Sequence, residues 1–596
     1  MKLSGLSLLL VINSATCWSL KADTLPPLEA WQGQSEQLIQ SAASSWVTPA
    51  ELTKLTDSPD YAATMAYVHK LVASSDMLEL EQFGTSAQGR AIFVVKASKQ
   101  LAKMAQNTKR PLLLVQAGIH SGEIDGKDAG LMLLRDIVHG DKQALLENVD
   151  LLFVPIFSVD GHERRSAYSR MNQRGPSIQG WRATAQNLNL NRDYSKADAP
   201  EMQAMLQLIN KYDPDLYLDI HVTDGEDYQY DITYGFNHAS AAISVNSASW
   251  LTKLYRPTID QALQQAGHVP GPLVFGIDSQ DFAKGLSGWT ATPRYSNGYG
   301  DVRHLPTILV ENHSLKPYKQ RVLGTYTLLE ATLGLLDQQG KALMLAKQAD
   351  QHARPKRMVL SYTDNTNPVL INFKGISYQT ASSEYSGATY VKWTGEPTLY
   401  ANLPVYWQNV VERDIAIPTA YWLPPQQQEV IQRLRIHGIK FDVINKAQKI
   451  SAQQLTVTDY HFAKEPFESR LTITDAEFSR EQSLHSIEQG WVRVSTDQPL
   501  GRLAVALLEP TAPDSFFKWG FMLGLFQRTE YFEPYAIEPL IDRLLEQQPK
   551  LKQQFAEALA ENSALKADPR ARYDWFYQKL PYYDQQFLKY PILIEL

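Results

Sequence analysis

The 596-residue sequence has an ordinary globular make-up, 44% hydrophobic, 20% charged and 10% aromatic, with a net charge of −7 and a pI near 6.0. That balance, with no basic run, gives no footprint for nucleic acid. The length exceeds one domain; by size alone it calls for about three or four.

In chain order, Lys2, the apolar run Leu3 to Ile12 and the small and polar residues to Ala22 have the layout of a secretory signal peptide. The run is too short for a spanning helix of about 20 residues. The only cysteine, Cys17, lies inside this leader segment, so cleavage near Ala22 leaves no thiol to form a disulfide or bind a metal. The expectation is an exported protein, periplasmic or secreted, with no membrane span once the signal is removed. Residues 23–58 read as a polar lead-in. Residues 59–75 place Tyr61, Met65, Val68 and Leu71 on one helical face. LELEQFGTSAQGRAIFVVKAS reads as a hairpin turning at Ser86 to Gly89.

An alternation of strands and helices follows, as in a mostly parallel sheet. A strand at 111–117 leads to a helix at 127–138, and a strand at 150–157 ends in Ser158-Val159-Asp160-Gly161. The stretch 162–198 is long and polar. Asp198 and Glu201 read as a capping box around Pro200, ahead of a helix with Met202, Met205, Leu206 and Ile209 at core spacing. The strand DLYLDI, 215–220, ends in His221; the strand TILVE, 307–311, ends in Glu311; a helix near 317–348 closes this unit. Residues 350–365 look like a linker. Beyond it come short alternating strands (RMVLSY, PVLINF, ATYVKW), then a βαβ-like unit whose helix starts at Pro424-Pro425 and stops at Gly438. The last 90 or so residues are aromatic-rich, with helices expected near 515–527 and 536–560 and the aromatic side chains as their core. The fold class is α/β: a mixed, mostly parallel sheet with helices on both faces, plus a mixed α/β C-terminal region. The expected division is a signal at 1–22, a catalytic domain at 23–349 and an accessory region at 350–596.

In an open α/β sheet, ligands bind outside the carboxyl ends of the strands. His120 and Glu123 follow one such end, His221 another, and Glu311 closes a third. Two imidazoles and a carboxylate form a ligand set typical of catalytic zinc, with one coordination position left for water. A further carboxylate must take that water's proton and pass it to the leaving amine, and Glu311 is placed to do so. Asn191 and Arg192 pair an amide donor with a guanidinium fork, the chemistry of carboxylate recognition. Arg170, Arg174 and Arg182 crowd the same loop, and one of them is expected to stabilise the oxyanion of the scissile carbonyl. His313, two residues past Glu311, faces the same side of the strand and is a candidate for supporting the metal ligands. The run 224–231, DGEDYQYD, reads as an exposed acidic loop.

Over roughly residues 55–335 the sequence resembles the zinc carboxypeptidases of the carboxypeptidase A-like family. The motifs that carry the likeness are FGTSAQGRAIF, HSGE, SVDG, LNLNRDY, DIH and TILVE, in that order, with 101 residues from His120 to His221. The resemblance implies one zinc ion held by His120, Glu123 and His221, Glu311 as general base and acid, and a peptide whose free C-terminal carboxylate lies on Asn191 and Arg192. For the carbonyl-polarising arginine it favours Arg182, with Arg174 and Arg170 as alternatives; for the substrate-capping tyrosine it offers Tyr295 ahead of Tyr299. SVDG lacks the family's proline, and Asp193-Tyr194 replaces its commoner Asn-aromatic pair. The implied activity is hydrolysis of the C-terminal amide bond of peptides. The rivals are a zinc amidase or peptidase acting on cell-wall peptides or amino-acid conjugates, and a non-catalytic peptide-binding protein on the same scaffold.

Overall fold

The structure is a computed structural model that describes residues 24–104, 110–223 and 225–596; the expected leader and Cys17 lie outside the described residues. The chain forms two compact units. The first takes in residues up to 417 together with 432–440 and 496–515; the second takes in 418–431, 441–495 and 516–596.

The first unit is built on ten strands that precede residue 314: β1 (Leu78–Thr85), β2 (Ala91–Ala97), β3 (Leu112–Ala117), β4 (Asp150–Val154), β5 (Leu216–Thr223), β6 (Ile232–Gly235), β7 (Pro270–Pro272), β8 (Val274–Gly276), β9 (Leu286–Gly288) and β10 (Thr307–His313). Eight of them form one sheet in the order β1-β2-β4-β3-β5-β10-β6-β7. The central strands β4, β3, β5 and β10 run parallel, and the hairpin β1–β2 and the strand β6 flank them antiparallel. Every residue of β3 and β4 is buried. This is the near-continuous apolar pattern of strands covered on both faces.

Alternation along the strands gives the two faces different tasks. Leu113, Val115, Leu151, Phe153, Leu218, Ile220, Ile308 and Val310 enter the main apolar core, together with the helices Tyr61–Val72, Asp125–His139, Arg256–Gln265 and Tyr318–His352. A Cβ at Gly130 would lie 2.3 Å from the Phe153 ring, so glycine is what lets the helix Asp125–His139 approach the sheet. The opposite face carries Asp219, His221 and Glu311. Because β5 and β10 pair in parallel register, Glu311 stands directly beside His221.

Several expectations are corrected here. His221 and Glu311 lie inside their strands, since the β5–β10 ladder continues to Thr223 and His313. The helix Pro200–Tyr212 has Ala199 as its cap residue with no side-chain cap. The Asp193 carboxylate accepts the Asp198 and Ala199 amides instead, while Glu201 reaches back to the Ala87 amide. The supposed linker is short, because the preceding helix runs to His352 and the strand β11 (Arg357–Asp364) follows. The strand β11 pairs with β13 (Thr389–Ala416), which also pairs with β12 (Val369–Ser382) and β9, so the unit continues past residue 349.

In the second unit, the strands Ala420–Leu423 and Asp442–Val443 both run antiparallel to Val492–Ser495, which lies between them; this is the βαβ-like element in split form. Its helix begins at Gln428, because Pro424 to Gln427 closes a turn first. Residues 515–527 form turns with one 3-10 turn at Leu523–Phe526, interrupted at Gly520, whose φ is +76°. Phe532, Ile537, Ile541, Leu544, Leu551, Phe576, Tyr577 and Leu580 form a separate core among the last helices, as the aromatic content predicts.

Burial pushes His162 down to about 4, with Lys127 beside it acting in the same direction, and holds His304 well below its usual range. These rings are neutral in the folded chain and bind protons once unfolded below pH about 6.5. The stability they contribute is therefore present above that pH and is lost as pH falls toward 4. The denaturant midpoint should fall between pH 7 and 4.5, with a shallower slope in His162→Asn; an unchanged slope in that variant contradicts the assignment.

Candidate metal and active site

His120 and Glu123 lie in the turn between β3 and the helix Asp125–His139, and the Glu123 amide donates to the His120 carbonyl at 2.9 Å. His221 comes from β5. One donor atom from each of His120, Glu123 and His221 lies within 4.8 Å of the other two, and all three residues are buried. Among the described residues this is the one such cluster.

The hydrogen bonds around the two imidazoles select the same ring nitrogen in both. His120 Nε2 meets the Asn189 Oδ1 acceptor at 2.9 Å, and this Oδ1 also accepts the Asn191 amide at 3.0 Å. His221 Nε2 meets Asp219 Oδ2 at 2.8 Å, and Asp219 Oδ1 accepts from Gln116 at 2.8 Å. With Nε2 donating, each ring turns Nδ1 toward Glu123 Oε2, at 3.1 Å from His120 and 3.2 Å from His221. A carboxylate or amide behind the ring fixes the tautomer and orientation of a metal-binding histidine. The donor set, burial and ring orientations all fit zinc.

The electrostatics are those of a dense charge cluster. Burial opposes ionisation of Glu123, but His120 and Arg170 hold its carboxyl well below the usual range. Burial lowers His120 to about 4. Burial also works against charge on His221, yet the Asp219 carboxylate raises it to about 10. Burial pushes Glu311 up to about 8 against the pull of His221. Glu311 Oε2 is buried without a hydrogen-bond partner among the described residues.

The three candidate arginines separate. Arg170 and Arg182 both reach Glu123 Oε1, at 2.8 and 3.0 Å. Arg170 is nearly covered and also bonds Gln173, and it packs where a Cβ at Gly122 would stand only 2.7 Å away. The Arg182 side chain is 46% exposed, and its charge also acts on Glu311. Arg174 turns elsewhere, donating to the Pro26 carbonyl. Arg321 fixes the loop that carries these residues: it grips Asp125 at 3.0 and 3.2 Å and donates to the Arg174 and Gly175 carbonyls.

Asn191 is buried and accepts the Ser296 amide at 3.2 Å. The Arg192 guanidinium lies 4.4 Å over the Tyr295 ring, which in turn meets Trp289 edge-on at 4.7 Å. Tyr299 is turned inward: it is 1% exposed and its hydroxyl is 2.9 Å from His437 Nδ1, so the structure brings Tyr295, and not Tyr299, to Arg192. His313 does not support the metal ligands, since its Nε2 faces Asp227 and its ring stacks on Tyr228. The supposed acidic loop is largely interior: Asp227 and Asp231 are buried, with Asp231 bound to His268, Gln320 and the Val269 amide.

Asn189 and Asp219 are the site residues that sequence reasoning missed. Asp219 had a signal, standing two residues before His221 on the same strand face. Asn189 had none beyond its place in LNLNRDY.

Residues 64–270 match the model of a family described as zinc carboxypeptidase. Carboxypeptidase 2 of Trichophyton rubrum is 23% identical over 487 residues, covering 78% of this chain and 85% of that protein. Carboxypeptidase 2 of Trichophyton tonsurans is 22% identical over 506 residues, covering 81% and 88%. Among solved structures, carboxypeptidase A from Helicoverpa armigera is 17% identical with a TM-score of 0.36, covering 53% of this chain and 80% of that one.

Asp219→Asn should weaken zinc binding about 10–100-fold, measured by chelator competition, because the amide no longer holds His221 as the carboxylate does. Unchanged affinity would show that Asp219 does not orient the ring.

Proposed function

We propose, for a chain that belongs to the zinc carboxypeptidase family, that it is an exported metallocarboxypeptidase removing the C-terminal residue of peptides. What supports this reading most is the convergence of His120, Glu123 and His221, with Glu311 in register beside His221 on the same sheet face. Export rests on the leader layout of residues 1–22.

His120 Nδ1, His221 Nδ1 and Glu123 would hold one zinc ion. When bound, zinc acidifies a coordinated water and polarises a carbonyl. The chain supplies the rest. Arg192, braced on Tyr295, pairs with the substrate's terminal carboxylate. Asn191 adds its amide donor, oriented because its Oδ1 is engaged by Ser296. Arg182, close to Glu123 and acting on Glu311, faces the scissile carbonyl oxygen and stabilises the charge that develops there. Glu311 takes the proton of the attacking water and gives it to the leaving amine. A buried carboxyl that protonates readily suits both halves of that task.

Glu311→Gln should lower kcat by about 10²–10⁴-fold with zinc content unchanged; full hydrolysis by the variant would remove Glu311 from the mechanism. Arg192→Ala should raise KM for free-carboxylate peptides by about ten- to a hundredfold, the range of a lost charged hydrogen bond. Equal turnover of free and C-terminally amidated peptides, before and after that change, would move the assignment to an amidase.

A further inference from the structure

The C-terminal half of the chain returns to the first unit through residues 432–440, and this segment lands behind the carboxylate-binding residues. His437 is fully buried there. Its Nε2 is 3.0 Å from the Ser195 carbonyl and its Nδ1 is 2.9 Å from the Tyr299 hydroxyl. A carbonyl only accepts, so Nε2 carries the hydrogen and Nδ1 accepts from Tyr299. Burial holds the ring neutral, pushed down to about 3, which keeps this one arrangement. Neighbouring bonds run the same way. Arg433 donates to the Lys196 carbonyl at 2.9 Å, and Arg303 bridges the His437 carbonyl and Asn210 at 2.9 and 2.7 Å.

The two elements joined by His437 are the two that build the carboxylate site. Ser195 lies three residues after Arg192. Tyr299 lies one helical turn after Tyr295, on the helix Ser296–Arg303. The two elements also meet through the Ser296 amide on Asn191 and through the Arg192–Tyr295 stack. A bond that sets the spacing between the segments therefore sets where the guanidinium stands.

We propose that His437, supplied from outside the family-matched region 64–270, is a positioning residue for recognition of the substrate's C-terminal carboxylate, acting through Ser195 and Tyr299 on Arg192 and Tyr295. It touches neither substrate nor metal ligand. This inference rests on the carboxypeptidase reading above.

The test is steady-state kinetics on the full zinc-loaded chain with N-blocked dipeptides, alongside competitive inhibition by a free-acid product analogue and by its amide. His437→Leu removes both bonds at similar volume. It should raise KM about tenfold, the scale of one or two buried hydrogen bonds. In that variant kcat should stay within about twofold, zinc content should be unchanged and the preference for acid over amide should shrink. Tyr299→Phe, which removes one hydroxyl, should move KM the same way by less. His437→Gln, with a donor at the reach of Nε2, should recover part of the loss. Combined with Arg192→Ala, His437→Leu should add little, because it acts through Arg192. A purely structural role would lower kcat, zinc content and thermal stability together while leaving the acid–amide preference intact, and that result overturns the proposal. If His437→Leu does not fold, Tyr299→Phe decides: unchanged KM and unchanged acid–amide preference overturn it. If Arg192→Ala itself leaves carboxylate recognition intact, the carboxypeptidase reading fails first; if Arg192→Ala weakens recognition and the His437 and Tyr299 variants do not, only this inference fails.

Discussion

The parallel pairing of β5 with β10 is the constraint on which the site depends. It sets His221 beside Glu311 on one face of the sheet, while their neighbours Ile220 and Val310 point into the apolar core on the other. A one-residue slip of either strand would send its His221 or Glu311 into that core and bring an apolar side chain to the site. Burial of the other face therefore fixes the chemistry of this one.

Around that pair the chain concentrates charge, most of it buried. Glu123 is the hub, with two imidazoles on one oxygen, two guanidinium groups on the other and the Val222 amide in addition. Such a cluster is expensive to assemble unless every member has a partner. Asp219 and Asn189 set the imidazole tautomers, and Arg321 ties Asp125 to the loop that carries Arg170 and Arg182. Glu311 Oε2 departs from this pattern. It is buried and without a partner among the described residues.

Much of this was legible in the sequence. HSGE, DIH and TILVE named the four central residues, and unbroken apolar runs named the buried parallel strands. The loop arginines were not separable, because three lie within thirteen residues of irregular chain, where no periodicity says which way each points. Tyr295 and Tyr299 are one turn apart on the same element, and only the packing of Tyr299 onto His437, 138 residues away, tells them apart. The capping box at Asp198 failed for a similar reason. Asp193, an equally suitable acid a few residues earlier, already occupied those amides. The C-terminal half was the least readable, since its segments alternate between the two units and its pairings span long stretches of sequence.

The central claim is that His120, Glu123 and His221 form one zinc site. It is tested most directly by metal analysis of the purified chain with X-ray absorption at the zinc edge. One zinc per chain, bound by two nitrogen ligands and protein oxygen and lost in His221→Ala, is the result predicted. A chain that purifies without zinc and does not take it up, or a His221→Ala variant that retains it with the same ligand shell, would contradict the account.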